Sequence, residues 1–275
     1  MFILILLLGI LLLPDIIRWD PLEQNVAERL LGPRRGHLFG TDGFGRDVFS
    51  RTLHGARASL TVSLAAIVAS GAAGILFGGT AAYLGGRVDL IGQRFIDVLL
   101  GIPFLVLLLV WVIALGPSIV SLSIGLAVGL VPRATRLVRA SVLSLTSEPF
   151  VEAARINNAS VIAILGRHLL PNALPTIAAH LAALFGISIL AESSLSFLGL
   201  GVPAPFPSLG GMLRDGARLF LEKAPWLTLF PGLAIALLVL AFTILGDAAE
   251  SSSKSSSRRH ATQQRAKRAS QKRNR

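Results

Sequence analysis

The chain has 275 residues, of which 53% are hydrophobic and only 15% charged, with a formal net charge of +11 and no cysteine. Soluble domains carry about 25% charged residues, so an ordinary soluble enzyme is a poor fit. The missing cysteines exclude disulfides, thiol chemistry and cysteine-based metal sites, and no Gly-Lys-Ser or Gly-Lys-Thr triplet is present to form a phosphate-binding P-loop.

The charge deficit is concentrated. Residues 58–86, 98–132, 168–191 and 224–246 contain no Asp, Glu, Lys or Arg. A bilayer core takes about 20 apolar helical residues to cross, and each run meets that length. The expected architecture is all-α, a polytopic bundle of about six transmembrane helices.

The first predicted span covers residues 1–17, nearly all Leu and Ile until Pro14 and Asp15. A signal peptide is the competing reading. Against it, no Lys or Arg precedes the apolar run and no small-x-small cleavage site follows. The span is read as a short first helix whose cytoplasmic start is truncated or missing. Residues 18–58 form a polar external segment. Within it, Val48, Phe49, Leu53 and Ala56 recur at helical spacing between Arg46, Asp47, Arg51, His54 and Arg57. That pattern predicts an amphipathic helix in the membrane interface, or else a solvated loop helix.

A core domain over residues 59–250 should hold the remaining spans. The second, about 59–84, is rich in Gly and Ala, which lets membrane helices approach closely. The third, about 95–115, ends at Gly116-Pro117, and a short fourth runs to about Val131. A long polar loop, 132–172, leads to the fifth span, about 173–198. A Gly- and Pro-rich stretch then precedes the sixth, about 226–245. Residues 251–275 hold nine Lys or Arg and no acid. They are expected to be a disordered basic tail drawn to anionic lipid rather than to nucleic acid.

Six spans place both termini on one side with the second and fourth loops. That side carries 16 Lys or Arg against 10 on the other. The positive-inside rule then makes the termini and the long loop cytoplasmic, in a multi-pass inner (plasma) membrane protein.

The long loop carries its own pattern. Pro149 opens a short helix, small Ala153 and Ala154 allow another surface to come close, and Asn157-Asn158 stops it, since Asn tolerates left-handed angles. A second helix over 160–168 follows, giving a helix–turn–helix at the cytoplasmic face. Glu152-Ala153-Ala154, Ala159-Ser160 and His168-Leu-Leu-Pro-Asn172 together resemble the E-A-A loop of binding-protein-dependent ABC importer permeases. His37-Leu-Phe-Gly-Thr-Asp-Gly-Phe-Gly-Arg-Asp-Val-Phe-Ser-Arg51, Ala191-Glu-Ser-Ser-Leu-Ser-Phe-Leu-Gly-Leu-Gly201 and Phe230-Pro-Gly narrow the resemblance to C-type permeases of the dipeptide, oligopeptide and nickel group. The likeness covers residues 14–250.

The resemblance implies a non-enzymatic subunit that pairs with a homologous second permease, with the solute pathway between them. It implies two cytoplasmic ATPase subunits that bind the ATP, so that this chain needs no cofactor, and an external solute-binding protein. Glu152, Ala153, Ala154, Arg155, Asn158, Leu170 and Pro171 are the implied coupling residues. Asn158 stands where the family has glycine, and beyond Gly246-Asp247 the chain leaves the family's usual ending. The solute stays open among a dipeptide, a longer peptide, nickel or another small molecule.

Glu192 is an ionisable group late in the fifth predicted span. Its place late in that span fits either the solute path and outer gate or a structural role. His180 reads as a hydrogen-bonded packing residue, and His37 and His54 as isolated, with no metal cluster in view. Two other classes remain as alternatives. A stand-alone carrier would place paired charges mid-membrane, and an embedded hydrolase would need Gly-x-Ser-x-Gly or His-Glu-x-x-His, which the chain lacks.

Overall fold

The computed structural model describes residues 20–273, with side chains as far as residue 251. The predicted first span, 1–17, lies outside the described residues. Helix α1 runs from Val48 to Leu84, α2 from Gly86 to Leu100, α3 from Phe104 to Leu115 and α4 from Ile119 to Leu143. Helix α5 covers Pro149–Ile156, α6 Val161–Phe197, α7 Leu209–Leu219 and α8 Trp226–Arg273. Among the described residues no β-strand forms. Helices α1, α4, α6 and the first half of α8 are long and apolar enough to cross a membrane, and the pair α2–α3, bent by 81° at its break, passes the same test only when taken together as one unit. The bend falls at Gly101-Ile102-Pro103, where proline pushes the preceding residue out of helical angles.

Four boundaries differ from the sequence reading, each for a physical reason. The 46–57 stretch is not a separate interfacial helix but the first turns of α1, capped by Asp47, whose carboxylate accepts from the Ser50 N–H at 2.7 Å. Arg51, assigned above to a polar face, is buried there and donates to the Pro21 carbonyl at 2.8 Å. The long loop shrinks to 144–160, because α4 continues to Leu143 and α6 already starts at Val161. Arg136 and Arg139 look like loop residues but pair across to α2. Arg136 meets Asp97, and Arg139 makes a bidentate bond to Asp89 at 2.6 and 2.5 Å. The second helix of the expected helix–turn–helix, 160–168, is the start of α6 itself. Finally, the tail expected to be disordered continues α8 to Arg273. It contains no Gly or Pro, so a helix begun by the span propagates through residues such as Ala, Gln, Lys and Arg, which favour it.

Small residues bring the helices together. A Cβ on Gly78 would lie 2.3 Å from the Thr135 carbonyl oxygen, so α1 and α4 touch backbone to backbone. Gly71 of α1 sits 3.0 Å, measured from the same ideal Cβ, from Leu181 of α6. Phe185 of α6 stacks on Phe242 of α8, with centroids 3.9 Å apart. One end of the bundle carries residues 20–47, α7 and the head of α8, and is called the cap end below. The other carries α5, and is called the loop end.

Candidate functional site

At the loop end, Glu148 leads into α5 and Pro149 takes its first turn, where a missing N–H costs nothing. The helix is amphipathic. Val151 and Ala154 are buried with Val138 and Val142 of α4, Ala82 of α1, and Ile164 and Leu169 of α6. Arg155 lies over the Tyr83 ring at 5.1 Å. These contacts fix α5 against three long helices, so the loop is not remote from the bundle as a cytoplasmic appendage would be.

The opposite face of α5 is open. Glu152, Ala153 and Arg155 are exposed, and Ile156 is 77% exposed. Ile162, just past the turn, is 83% exposed. The turn has the expected form: Asn157 ends the helix and Asn158 takes φ +54°, in the left-handed region that glycine otherwise favours. The Ala159 N–H then bonds back to the Ala154 carbonyl at 3.1 Å, and Ser160 caps α6 by accepting from the Ala163 N–H at 3.3 Å.

Leu170 and Pro171 follow a π-type widening of α6 over Ile164–Leu169. A helical proline clashes with the carbonyl four residues back, and one extra residue in the turn relieves that clash. Leu170 is half-buried and Pro171 exposed. The structure thus gathers Glu152, Ala153, Ala154, Arg155 and Asn158 on one element, with Leu170 and Pro171 further along α6. It also adds Ile156 and Ile162, which the sequence reading missed although an isoleucine beside a helix stop is a visible signal.

At the cap end, the stretch 37–51 is a folded strap over the head of α1. The Asp42 carboxylate accepts from the Phe44 N–H (2.8 Å), the Arg46 N–H (3.0 Å) and Arg46 Nε (2.7 Å). His37 is not isolated: Nδ1 lies 2.9 Å from Asp47 Oδ1 and Nε2 3.3 Å from Glu28 Oε2. Trp226 of α8 ties the strap down by donating Nε1–H to the Thr41 carbonyl at 3.2 Å. His54 Nδ1 lies 2.9 Å from the Ser50 carbonyl and His180 Nδ1 2.8 Å from that of Thr176, the second being the packing contact expected.

Glu192 is fully buried, and its Ser59 partner places it between α6 and α1. It is held by hydroxyls. Ser59 of α1 donates to Oε2 at 2.6 Å, Ser196 to Oε1 at 2.7 Å and Ser193 to Oε2 at 3.4 Å.

The profile of the family described as "Binding-protein-dependent transport system inner membrane component" matches residues 74–254. The chain belongs to this family. It is similar to the dipeptide transport system permease protein DppC of Alkalihalophilus pseudofirmus, 42% identical over 225 residues, which are 82% of this chain and 74% of the relative. The DppC of Bacillus subtilis is 39% identical over 225 residues, 82% of this chain and 70% of the relative, and that of Haemophilus influenzae 37% over 252 residues, 90% and 85%. Two solved structures share the fold at 18% identity: an inward-facing form of the MetNI methionine ABC transporter, with a TM-score of 0.59 over 74% of this chain and 97% of that one, and an amino acid ABC transporter, with 0.57 over 74% and 94%. The protein is therefore a multi-pass membrane permease component that works with partner subunits, and a transporter rather than an enzyme. The carrier and hydrolase alternatives have no support in these likenesses.

Proposed function

We propose that the chain forms half of the translocation pathway of an ATP-driven peptide importer. It pairs with a homologous second permease, takes peptide from an external binding protein, and is driven by two ATPase subunits docked on α5. Peptide is favoured over nickel because the relatives covering most of this chain are named for dipeptides. The observation that carries the coupling role is the two-faced α5. Its inner face is locked to α1, α4 and α6, while Glu152, Ala153, Ile156 and Ile162 stand outward. A partner that pushes on the outward face moves three long helices at once. The loop end and the helical tail face the cytoplasm in this reading, by the excess of Lys and Arg on that side.

The test is reconstitution of the complete transporter in vesicles with a radiolabelled dipeptide outside and ATP inside. Uptake that needs ATP, the binding protein and an intact α5 supports the reading. Uptake without the ATPase subunits overturns it.

A further inference from the structure

Glu192 is one of several polar groups at the contact of α1 and α6. Ser63 of α1 and Ser188 of α6 are also fully buried, and their hydroxyl oxygens have no partner in the structure. A buried hydroxyl without a hydrogen bond is disfavoured, and two of them at one level call for an account.

Their level follows from the helix register. The two helices run antiparallel: Ser59 meets Glu192, and twelve residues further along α1 Gly71 meets Leu181, eleven residues back along α6. Ser63 lies one turn along α1 from Ser59, on the same face. Ser188 lies one turn back along α6 from Glu192, again on the same face. The register therefore sets Ser63 opposite Ser188, one turn deeper than the Ser59–Glu192 bond. A glutamate side chain on a helix leans toward the helix N-terminus, which for Glu192 is toward Ser188. Two sets of hydroxyls are thus offered to one carboxyl, about one helical turn apart. Ser59, Ser193 and Ser196 hold it here, and Ser63 with Ser188 is vacant.

The occupied set is the one closed over by the cap. A Cβ on Gly210, at the head of α7, would lie 2.0 Å from the Ser193 carbonyl oxygen, and one on Gly201 would lie 1.9 Å from Ser196 Oγ. This part of α6 also borders a groove lined by Leu190, Ser193, Phe197, Leu213 and Ile235, which leaves room for the cap end of α6 to move. Separating the cap ends of α1 and α6 would pull Ser59 from the carboxyl. The deeper level stays shut, because Ile67, Leu184 and Phe185 pack together below it.

We propose that Ser63 and Ser188 form a second seat for the Glu192 carboxyl, taken when the cap ends of α1 and α6 part, so that the carboxyl stays hydrogen-bonded through the transport cycle. Glu192, Ser63 and Ser188 are then positioning residues for transport. This rests on the importer reading above.

The experiment uses the whole transporter in vesicles, with its binding protein loaded from a mixture of di- and tripeptides. The readouts are stimulated ATP turnover and the distance between spin labels at Phe44→Cys, on the strap, and Leu198→Cys, at the end of α6, in a chain with no other cysteine. The double change Ser63→Ala with Ser188→Ala removes no bond present here, so the resting complex should melt no lower than wild type. Turnover should nevertheless fall about fivefold, the rate equivalent of one hydrogen bond lost in the other state, with half-saturation by binding protein unchanged. The share of labels that leave the resting separation when ATP is added should fall by about the same factor. Glu192→Gln, which can still pair with both sets, should keep most of the turnover, and Glu192→Leu should not. Wild-type turnover and label movement in the double variant would overturn the second seat alone. A wild-type complex with no stimulated turnover would overturn the importer reading and this inference with it.

Discussion

Ala153 is exposed on α5, whereas its neighbour Ala154, 8% exposed, is packed among Val142, Val151 and Ile164. Small size therefore serves two purposes in adjacent positions. At 154 it lets α5 sit down on the bundle, and at 153 it leaves the outer surface low enough for a partner to approach. Ala154→Trp should overpack the chain's own core, at about 1–3 kcal/mol, and lower the amount of folded permease in the membrane. Ala153→Trp should leave that amount unchanged while abolishing capture of the ATPase subunits and peptide uptake. The measurement is membrane level by immunoblot alongside pull-down of the ATPases. Normal capture by Ala153→Trp would show that the outward face of α5 is not the docking surface.

Asn158 stands at φ +54°, a left-handed conformation that favours glycine. Asn158→Gly should be close to neutral, because both residues adopt this conformation. Asn158→Val should cost about 1–2 kcal/mol of strain, since a β-branched residue there is a steric outlier. Limited proteolysis of the 144–160 segment in the assembled transporter reports this directly. The valine variant should be cut faster and the glycine variant at the wild-type rate.

The spans and the loop were legible in the sequence because both follow from local pattern. Charge-free runs of bilayer length marked α1, α6 and α8, and the Asn157-Asn158 pair marked the end of α5, whereas the span expected over about 95–115 is broken between Leu100 and Phe104. What was not legible depends on partners far away in the chain. Arg136 and Arg139 read as loop charges until Asp97 and Asp89 lie opposite them. Arg51 reads as a polar-face residue until Pro21 and Asp42 surround it. The outward and inward faces of α5 differ only through what α4 and α6 bring to Val151 and Ala154. Glu192 stood out as a charge in a span, but its serine partner on α1 is 133 positions away.

The Asp89–Arg139 pair fixes the start of α2 to the end of α4, with both side chains largely shielded from solvent. Asp89→Asn should leave a shielded guanidinium short of its charge partner, and Arg139→Gln the reverse. Each single change should lower the melting temperature of the purified complex by several degrees, consistent with about 1–3 kcal/mol. The double variant should lose less than the sum of the two, because the partners are coupled. Strict additivity in that cycle would mean that the two groups do not interact in the folded complex.

Gly78 gives the sharpest packing test. Its missing side chain lets α1 run against the backbone of α4, with only 2.3 Å between an ideal Cβ and the Thr135 carbonyl oxygen, and 3.1 Å to the Arg139 nitrogen. Those are backbone atoms, which cannot rotate away as a side chain can, so the helices themselves must separate. Separation would also strain the Val138 and Val142 contacts beneath α5, because the same stretch of α4 supplies them. Gly78→Ala should therefore destabilise the permease by about 1–3 kcal/mol as overpacking does, and Gly78→Leu should prevent accumulation of folded protein. Gly92 on α2 provides the control: a Cβ there meets nothing within 4 Å, so Gly92→Ala should be neutral or slightly stabilising through its better helix propensity. Thermal melting of the detergent-solubilised chain separates the two. Equal melting temperatures for Gly78→Ala and Gly92→Ala would show that the close approach of α1 to α4 is not a determinant of stability.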